Sequence, residues 1–189
     1  MKSNIEVEIR GRLSDAEYDR VKKFLDQHGK HVENHEREMF LLRDYPGYTK
    51  DFVSRSVDIR LRNTSGRCEI MLKRQMEGAR EEVSLKLAET DLENAKKVAK
   101  ALGCTTAVWM HRLKEVYEYN GVEWSLVIAP NNIRYYEAEI ALADTKKVAG
   151  THIQLAEEAK KLGLEVLDDE GTRALIHRLD TEANKVVEL

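Results

Sequence analysis

Proline, cysteine and aromatic side chains are scarce: two, two and 6% of 189 residues. So little proline excludes a collagen-like or proline-rich extended chain. Two cysteines, Cys68 and Cys104, exclude a disulfide framework and point to a reduced, cytoplasmic protein. There is no run of about 18 apolar residues, so neither a transmembrane helix nor a membrane partner is expected. The opening stretch "MKSNIEVEIR" lacks the apolar core of a signal peptide. A large charge of one sign is missing as well. Thirty-one Lys and Arg against 34 Asp and Glu leave a net charge of −3, which indicates no specific nucleic-acid partner.

What is present is charge of both signs. Charged residues make up 34% of the chain, above an average of about 25%. The length fits one domain spanning 1–189, large enough for a substantial core. Most of the sequence alternates with period two. Strands are predicted at about 4–13, 31–43, 105–119 and 122–129, with two strands around the turn Asn63-Thr64-Ser65-Gly66, another over "REEVSLKL" and an eighth over "IRYYEAEIAL". Asn120-Gly121 is the strongest short hairpin signal. "DYPGYTKDF" reads as a loop because of Pro46-Gly47. Capping boxes at Ser14/Glu17 and Thr90/Glu93 open two helices, and further helices are predicted at 151–162 and 170–187. Eight strands with few long connections predict a largely antiparallel sheet or closed barrel with helices packed outside.

Alternate residues of a strand share a face. On one face the first strand then carries Glu6, Glu8, Arg10 and Arg12, and the third Asp58, Arg60 and Arg62. The fourth carries Glu69 and Lys73, the fifth Glu82 and Lys86, the sixth Arg112 and Lys114, and the eighth Glu137 and Glu139. A single strand of this kind has an ordinary explanation, a wet sheet face. The whole set needs more. Like charges two residues apart repel unless opposite charge stands between them. A lumen holding both signs suits an oligophosphate with its metal ions. Arg and Lys hold phosphate oxygens, and carboxylates hold hard cations such as Mg²⁺ or Mn²⁺.

These residues resemble a known family. "EVEIR" resembles the Glu-x-Glu-x-Lys/Arg signature of the CYTH superfamily, the triphosphate tunnel metalloenzymes, which includes class IV adenylate cyclases and thiamine triphosphatases. "KDFVSRSVDIRLR", "EIMLKR", "REEV", "RLKEVY" and "YYEAEIAL" resemble its later motifs in order, matching Arg60 and Arg62, Lys73, Arg80 and Glu82, Arg112 and Lys114, and Glu137 and Glu139. The resemblance covers about 1–143 and leaves 144–189 as outer helices. It implies an α+β fold: a closed, eight-stranded, largely antiparallel β-barrel with a charged lumen. It also implies a triphosphate-containing small molecule as partner, held by Arg10, Arg60, Arg62, Lys73, Arg112 and Lys114. Glu6, Glu8, Glu82, Glu137 and Glu139 would be ligands of Mg²⁺ or Mn²⁺. The catalytic set would be Glu6, Glu8, Arg10, Glu137 and Glu139.

Two departures stand out. The family typically has an aspartate on the strand before the closing Glu-x-Glu, whereas "VEWSLVIAP" has no acid near Val127 or Ile128. Class IV cyclases carry a His-x-Asp-x-Tyr-Phe-like stretch, whereas "HEREMF" has Arg37 and Met39 at the Asp and Tyr positions. The function expected is therefore metal-dependent hydrolysis of inorganic tripolyphosphate or of an organic triphosphate such as thiamine triphosphate. A cyclase making cAMP and pyrophosphate, and a non-catalytic triphosphate or nucleotide binder, are the alternatives. The sequence is compatible with a homodimer. His28, His31 and His35 read as surface histidines, His111 as facing the apolar side, and Cys68 as a small packing residue. Trp109 and Trp124 read as packing the outer face under helices, and Arg12 has no assignment.

Overall fold

The alternating segments form nine strands and four α-helices among the residues described by this computed structural model, 4–88 and 91–189. The strands are β1 (Asn4–Arg12), β2 (Lys30–Leu42), β3 (Val57–Thr64), β4 (Arg67–Met76), β5 (Ala79–Leu87), β6 (Thr106–Tyr119), β7 (Val122–Ala129), β8 (Ile133–Leu142) and β9 (Lys185–Glu188). The helices are α1 (Asp15–His28), α2 (Leu92–Ala101), α3 (Val148–Lys161) and α4 (Asp169–Glu182). Every strand pairing is antiparallel, in the order β2-β3-β4-β5-β1-β8-β7-β6, and a β2–β6 ladder closes the ring. The fold is thus a closed eight-stranded α+β barrel.

Local chemistry sets the boundaries. Ser14 and Glu17 form the expected capping box, with the Glu17 amide donating to Ser14 Oγ at 3.3 Å and the Ser14 amide to Glu17 Oε2 at 2.8 Å. Thr90 of the second predicted box lies outside the described residues; α2 starts after Asp91 without a side-chain cap bond. Asn120 and Gly121 both adopt positive φ, 51° and 72°, as the tight β6–β7 hairpin requires. Gly11 is needed for close approach: a Cβ there would collide with the Glu165 carbonyl and the Tyr136 ring. The segment before α4 lies across β1 at this point, with the Leu167 amide donating to the Arg10 carbonyl at 2.8 Å.

The outward faces supply the core. Ile5, Val7 and Ile9 of β1 pack with Val21 and Leu25 of α1, Leu155 and Ala159 of α3, and the fully buried Trp124. α2 covers β2, β3 and β4 through Leu92, Ala95 and Ala99 against Phe40, Leu61 and Cys68. Cys68 is a buried packing residue as expected.

The structure corrects several expectations. α3 begins at Val148, three residues earlier than expected, and α4 ends at Glu182 rather than 187. The last residues instead pair as β9 with Thr106–Trp109 of β6, on the stretch preceding that strand's ladder with β7. A four-residue strand ending the chain lacks enough alternation to show in the sequence. Helices do not cover the whole barrel either: Val83 and Leu85, on the outer face of β5, are exposed. His111 faces outward but pairs with Glu36 at 2.6 Å rather than with apolar groups. Trp109 does pack, as expected, against the apolar cluster under α2, and its indole N–H donates to Glu38 at 2.6 Å. Arg12 reaches outward to the Gly171 carbonyl at 3.5 Å.

The loop 43–56 is pinned by Arg55. Its guanidinium donates to the Thr49 and Lys50 carbonyls at 2.7 and 3.0 Å and to Asp58 at 3.0 Å. Asp58 is 4% exposed and also faces Arg60 and Arg80. Burial alone would raise its pKa, but Arg60, Arg55 and Arg80 together pull it from 3.8 down to about 2. Asp58→Asn should cost about 3 kcal/mol in urea unfolding at neutral pH by leaving buried guanidiniums unpaired. Because the folded pKa is lowered, this contribution is complete above the ordinary value and is lost as pH falls from about 4 to about 2. The gap between wild type and variant should close over that window. A variant as stable as wild type at pH 7 would show that Asp58 does not anchor the loop.

Candidate active site

The eleven residues picked from the sequence converge on one enclosed cavity of about 240 Å³ inside the barrel: Glu6, Glu8, Arg10, Arg60, Arg62, Lys73, Glu82, Arg112, Lys114, Glu137 and Glu139. The ladders explain why. Glu8 stands opposite Glu139, and Arg10 opposite Glu137. Asp58 is opposite Lys73, and Lys73 opposite Glu82. With the outward face taken by the core, period two turns all of these inward.

Most lumen charges are paired. Lys73 lies 2.7 Å from Glu6 and 2.9 Å from Glu82. Arg62 lies 2.6 Å from Glu69, and Arg10 contacts Glu8 and lies 3.5 Å from Glu137. Lys114 pairs with Glu137. Burial opposes the charge on Glu137, but Lys114, Arg10 and Arg37 overcome it and hold the carboxylate well below its usual range. Lys73 keeps its proton more firmly than usual despite burial, because Glu6 and Glu82 flank it.

Two regions are unbalanced. Glu139 has no cationic group within 4 Å among the described residues. Burial, reinforced by Glu6 and Glu8, pushes its pKa from 4.5 up to about 8. Burial also raises Glu6, and partial desolvation raises Glu123 at the exposed mouth of the lumen. Across the lumen, Arg37 and Arg112 are register partners on β2 and β6, and neither has a carboxylate within 4 Å among the described residues. Arg37 donates to Thr64 Oγ1 at 3.3 Å, and its pKa is depressed by burial and by Arg62. Arg112 is held by neutral groups, Tyr135 Oη at 3.1 Å, Asn184 Oδ1 at 2.8 Å and its neighbour's carbonyl at 2.7 Å. Arg60 Nε is buried without a hydrogen-bond acceptor.

Sequence reasoning missed three lumen residues: Arg37, His35 and Glu123. Arg37 and His35 share parity on β2, and alternation through "ENHEREMF" was the available signal. His35 is 6% exposed, which corrects its reading as a surface histidine. Its Nδ1 meets Glu33 at 3.0 Å, its Nε2 is buried without a partner, and burial together with Arg37 lowers its pKa to about 4. His28 and His31, by contrast, are exposed, with the His28 ring tilted at 42° against Phe24. β7 does place an acid in the lumen: Glu123, opposite Glu139, at the other end of the strand from Val127. Arg80 faces the same end as Arg10, with Phe52 of the loop 43–56 packed against both guanidiniums at 4.1 and 4.9 Å.

No three His, Cys, Asp or Glu side chains among the described residues stand converged as a ready metal cluster. Glu6, Glu8, Glu82 and Glu137 are turned toward Lys and Arg. The donor set still suits a divalent cation, because Glu6, Glu8, Glu123 and Glu139 offer only carboxylate oxygens. Their mutual repulsion, read out in Glu139, is what a hard cation relieves.

A closed antiparallel barrel whose lumen is lined by opposed acidic and basic walls defines a tunnel protein. A model of the CYTH domain matches residues 4–172, and the chain belongs to that family. Solved structures share the fold at low identity. A conserved hypothetical protein from Pyrococcus furiosus has a TM-score of 0.69 at 20% identity, covering 86% of this chain and 94% of its own. A Vibrio parahaemolyticus protein described as a candidate adenylate cyclase gives 0.67 at 16%, covering 85% and 90%. A Hippeastrum protein described as a candidate adenylyl cyclase with a dominant triphosphatase activity gives 0.58 at 16%, covering 86% and 89%. The comparison with curated proteins returned no match. No helix among the described residues is long and apolar enough to cross a membrane.

Proposed function

We propose that this protein hydrolyses a triphosphate bound along the barrel lumen, releasing the terminal phosphate. The observation that carries this reading is the pair Arg37 and Arg112, one half-buried and one buried, neither with a carboxylate within 4 Å among the described residues, facing a wall of surplus carboxylate. Arg10, Arg60, Arg62, Lys73, Arg112 and Lys114 hold the phosphate oxygens, joined by Arg37. Planar guanidinium forks suit bidentate contact, and the two lysines act as point charges. Glu6, Glu8, Glu139 and Glu123 would hold Mg²⁺ or Mn²⁺, with Glu82 and Glu137 beside them. When bound, such a cation neutralises phosphate charge and lowers the pKa of water. Glu137, locked between Lys114 and Arg10, orients those cations rather than meeting phosphate itself. Phosphoryl transfer depends mainly on alignment and charge neutralisation, and both are prebuilt here. Water adds to the terminal phosphorus, the bridging P–O bond breaks, and diphosphate leaves against the basic wall.

Incubation with tripolyphosphate, thiamine triphosphate and ATP, each with Mg²⁺ or Mn²⁺, should release orthophosphate from at least one. Production of cAMP and pyrophosphate from ATP would replace this reading with a cyclase. Binding of all three without turnover would leave only a triphosphate-binding protein.

A further inference from the structure

The lumen changes character along each of four adjacent strands, from charged to apolar. Along β2 the inward residues run His35, Arg37, then Met39 and Leu41. Along β6 they run Lys114, Arg112, then Met110. On β7, Glu123 and Ser125 give way to Val127, and on β8, Glu139 and Glu137 give way to Tyr135. Leu175 and Leu179 of α4 pack onto Val127 and Tyr135, so the C-terminal helix roofs this end of the barrel. Between that roof, Met39, Met110 and the loop 43–56 lies a cavity of about 350 Å³. Arg10, Arg60, Arg112 and Glu137 line both this cavity and the lumen.

We infer that this cavity receives the organic group of the substrate, and that the substrate is a triphosphate ester bearing an uncharged, largely apolar group. The inference rests on the triphosphate reading above. An inorganic chain would leave the aliphatic walls unused, whereas a head group of nucleobase to nucleoside size fits a cavity of this volume and lining. The charge at its rim decides against a cationic head group. Arg43, Lys50 and Lys185 line it with Asp180, which accepts from Asn184 at 2.7 Å, and Glu137 is already neutralised by Lys114 and Arg10. Arg43 Nε is buried without an acceptor and so offers a donor to a carbonyl or ring nitrogen of the guest. The methionines provide walls that adapt to shape.

The test measures binding of β,γ-methylene analogues of tripolyphosphate, methyl triphosphate, benzyl triphosphate and thiamine triphosphate to the full chain, with Mg²⁺ and with EDTA. The benzyl compound should bind at least about tenfold tighter than the methyl compound, as burial of a ring's apolar area provides. Thiamine triphosphate analogue should bind no tighter than the methyl compound. Ile176→Trp, which fills the cavity from α4, should abolish the benzyl advantage. Equal binding of methyl and benzyl compounds would overturn the pocket and leave the triphosphate reading standing. Tightest binding of the thiamine compound would overturn the uncharged head group. Failure of every analogue to bind in either condition would overturn the triphosphate reading and this inference with it.

Discussion

Glu139→Gln should lower metal-dependent triphosphate hydrolysis by about a thousandfold in kcat, the scale of losing a group that stabilises charge in a water-poor site. The metal-free protein should respond in the opposite sense. Glu139 keeps its proton up to about pH 8 because burial and the nearby Glu6 and Glu8 oppose its ionisation. The folded chain then binds more protons than the unfolded chain between about 4.5 and 8, so this residue makes stability fall as pH rises through that window. Glutamine removes that part of the slope. Thermal melts in EDTA at pH 5 and pH 8 should show wild type losing more stability than the variant. Full hydrolytic activity in the variant, or identical slopes, would remove Glu139 from the site.

Arg37→Gln is the mirror experiment on the basic wall. A half-buried guanidinium whose one hydrogen-bond partner among the described residues is Thr64 is costly in the free protein and valuable when phosphate arrives. The variant should raise KM about a hundredfold, the scale of losing charge-assisted hydrogen bonds. It should also melt about 4 °C higher without ligand, because a half-buried cation with no carboxylate in direct contact is gone. Steady-state kinetics paired with calorimetry checks both halves. A lower melting temperature with unchanged KM would make Arg37 a structural residue. Together the two substitutions describe a site kept at a cost to stability, a common trade-off where function needs unpaired groups.

The lumen was legible in the sequence because a strand's period is two: once Ile5, Val7 and Ile9 are assigned to the core, Glu6, Glu8 and Arg10 have nowhere to point but inward. The same rule applied to β2 would have found Arg37. It was obscured because polar residues stand on both faces of "ENHEREMF", so neither face declares itself by hydropathy. Glu123 was overlooked for a different reason. The family pattern points to an acid near Val127, whereas the ladder brings the opposite end of β7 beside Glu139. Which pairs form, and which guanidiniums stay unpaired, depends on register between strands far apart in sequence. Likewise, Val83 and Leu85 are exposed because α2 packs over β2, β3 and β4, and nothing in "EEVSLKL" encodes that.

The closing seam between β2 and β6 and the ladder between β1 and β8 have a consequence for how the chain is made. Ile5 finds its partner Leu142 only after most of the protein has been synthesised, and Lys30 waits for Glu118. Such non-local pairings are slow to form, and unpaired strands are vulnerable to association meanwhile. During that wait the inward faces of these strands are open to water. Because much of each inward face carries Glu, Arg and Lys, a half-built barrel presents on that side a largely hydrated, mixed-charge surface that discourages sticking to its neighbours. The residues proposed to grip a triphosphate in the finished protein would thus also keep its nascent sheet soluble until the ring closes.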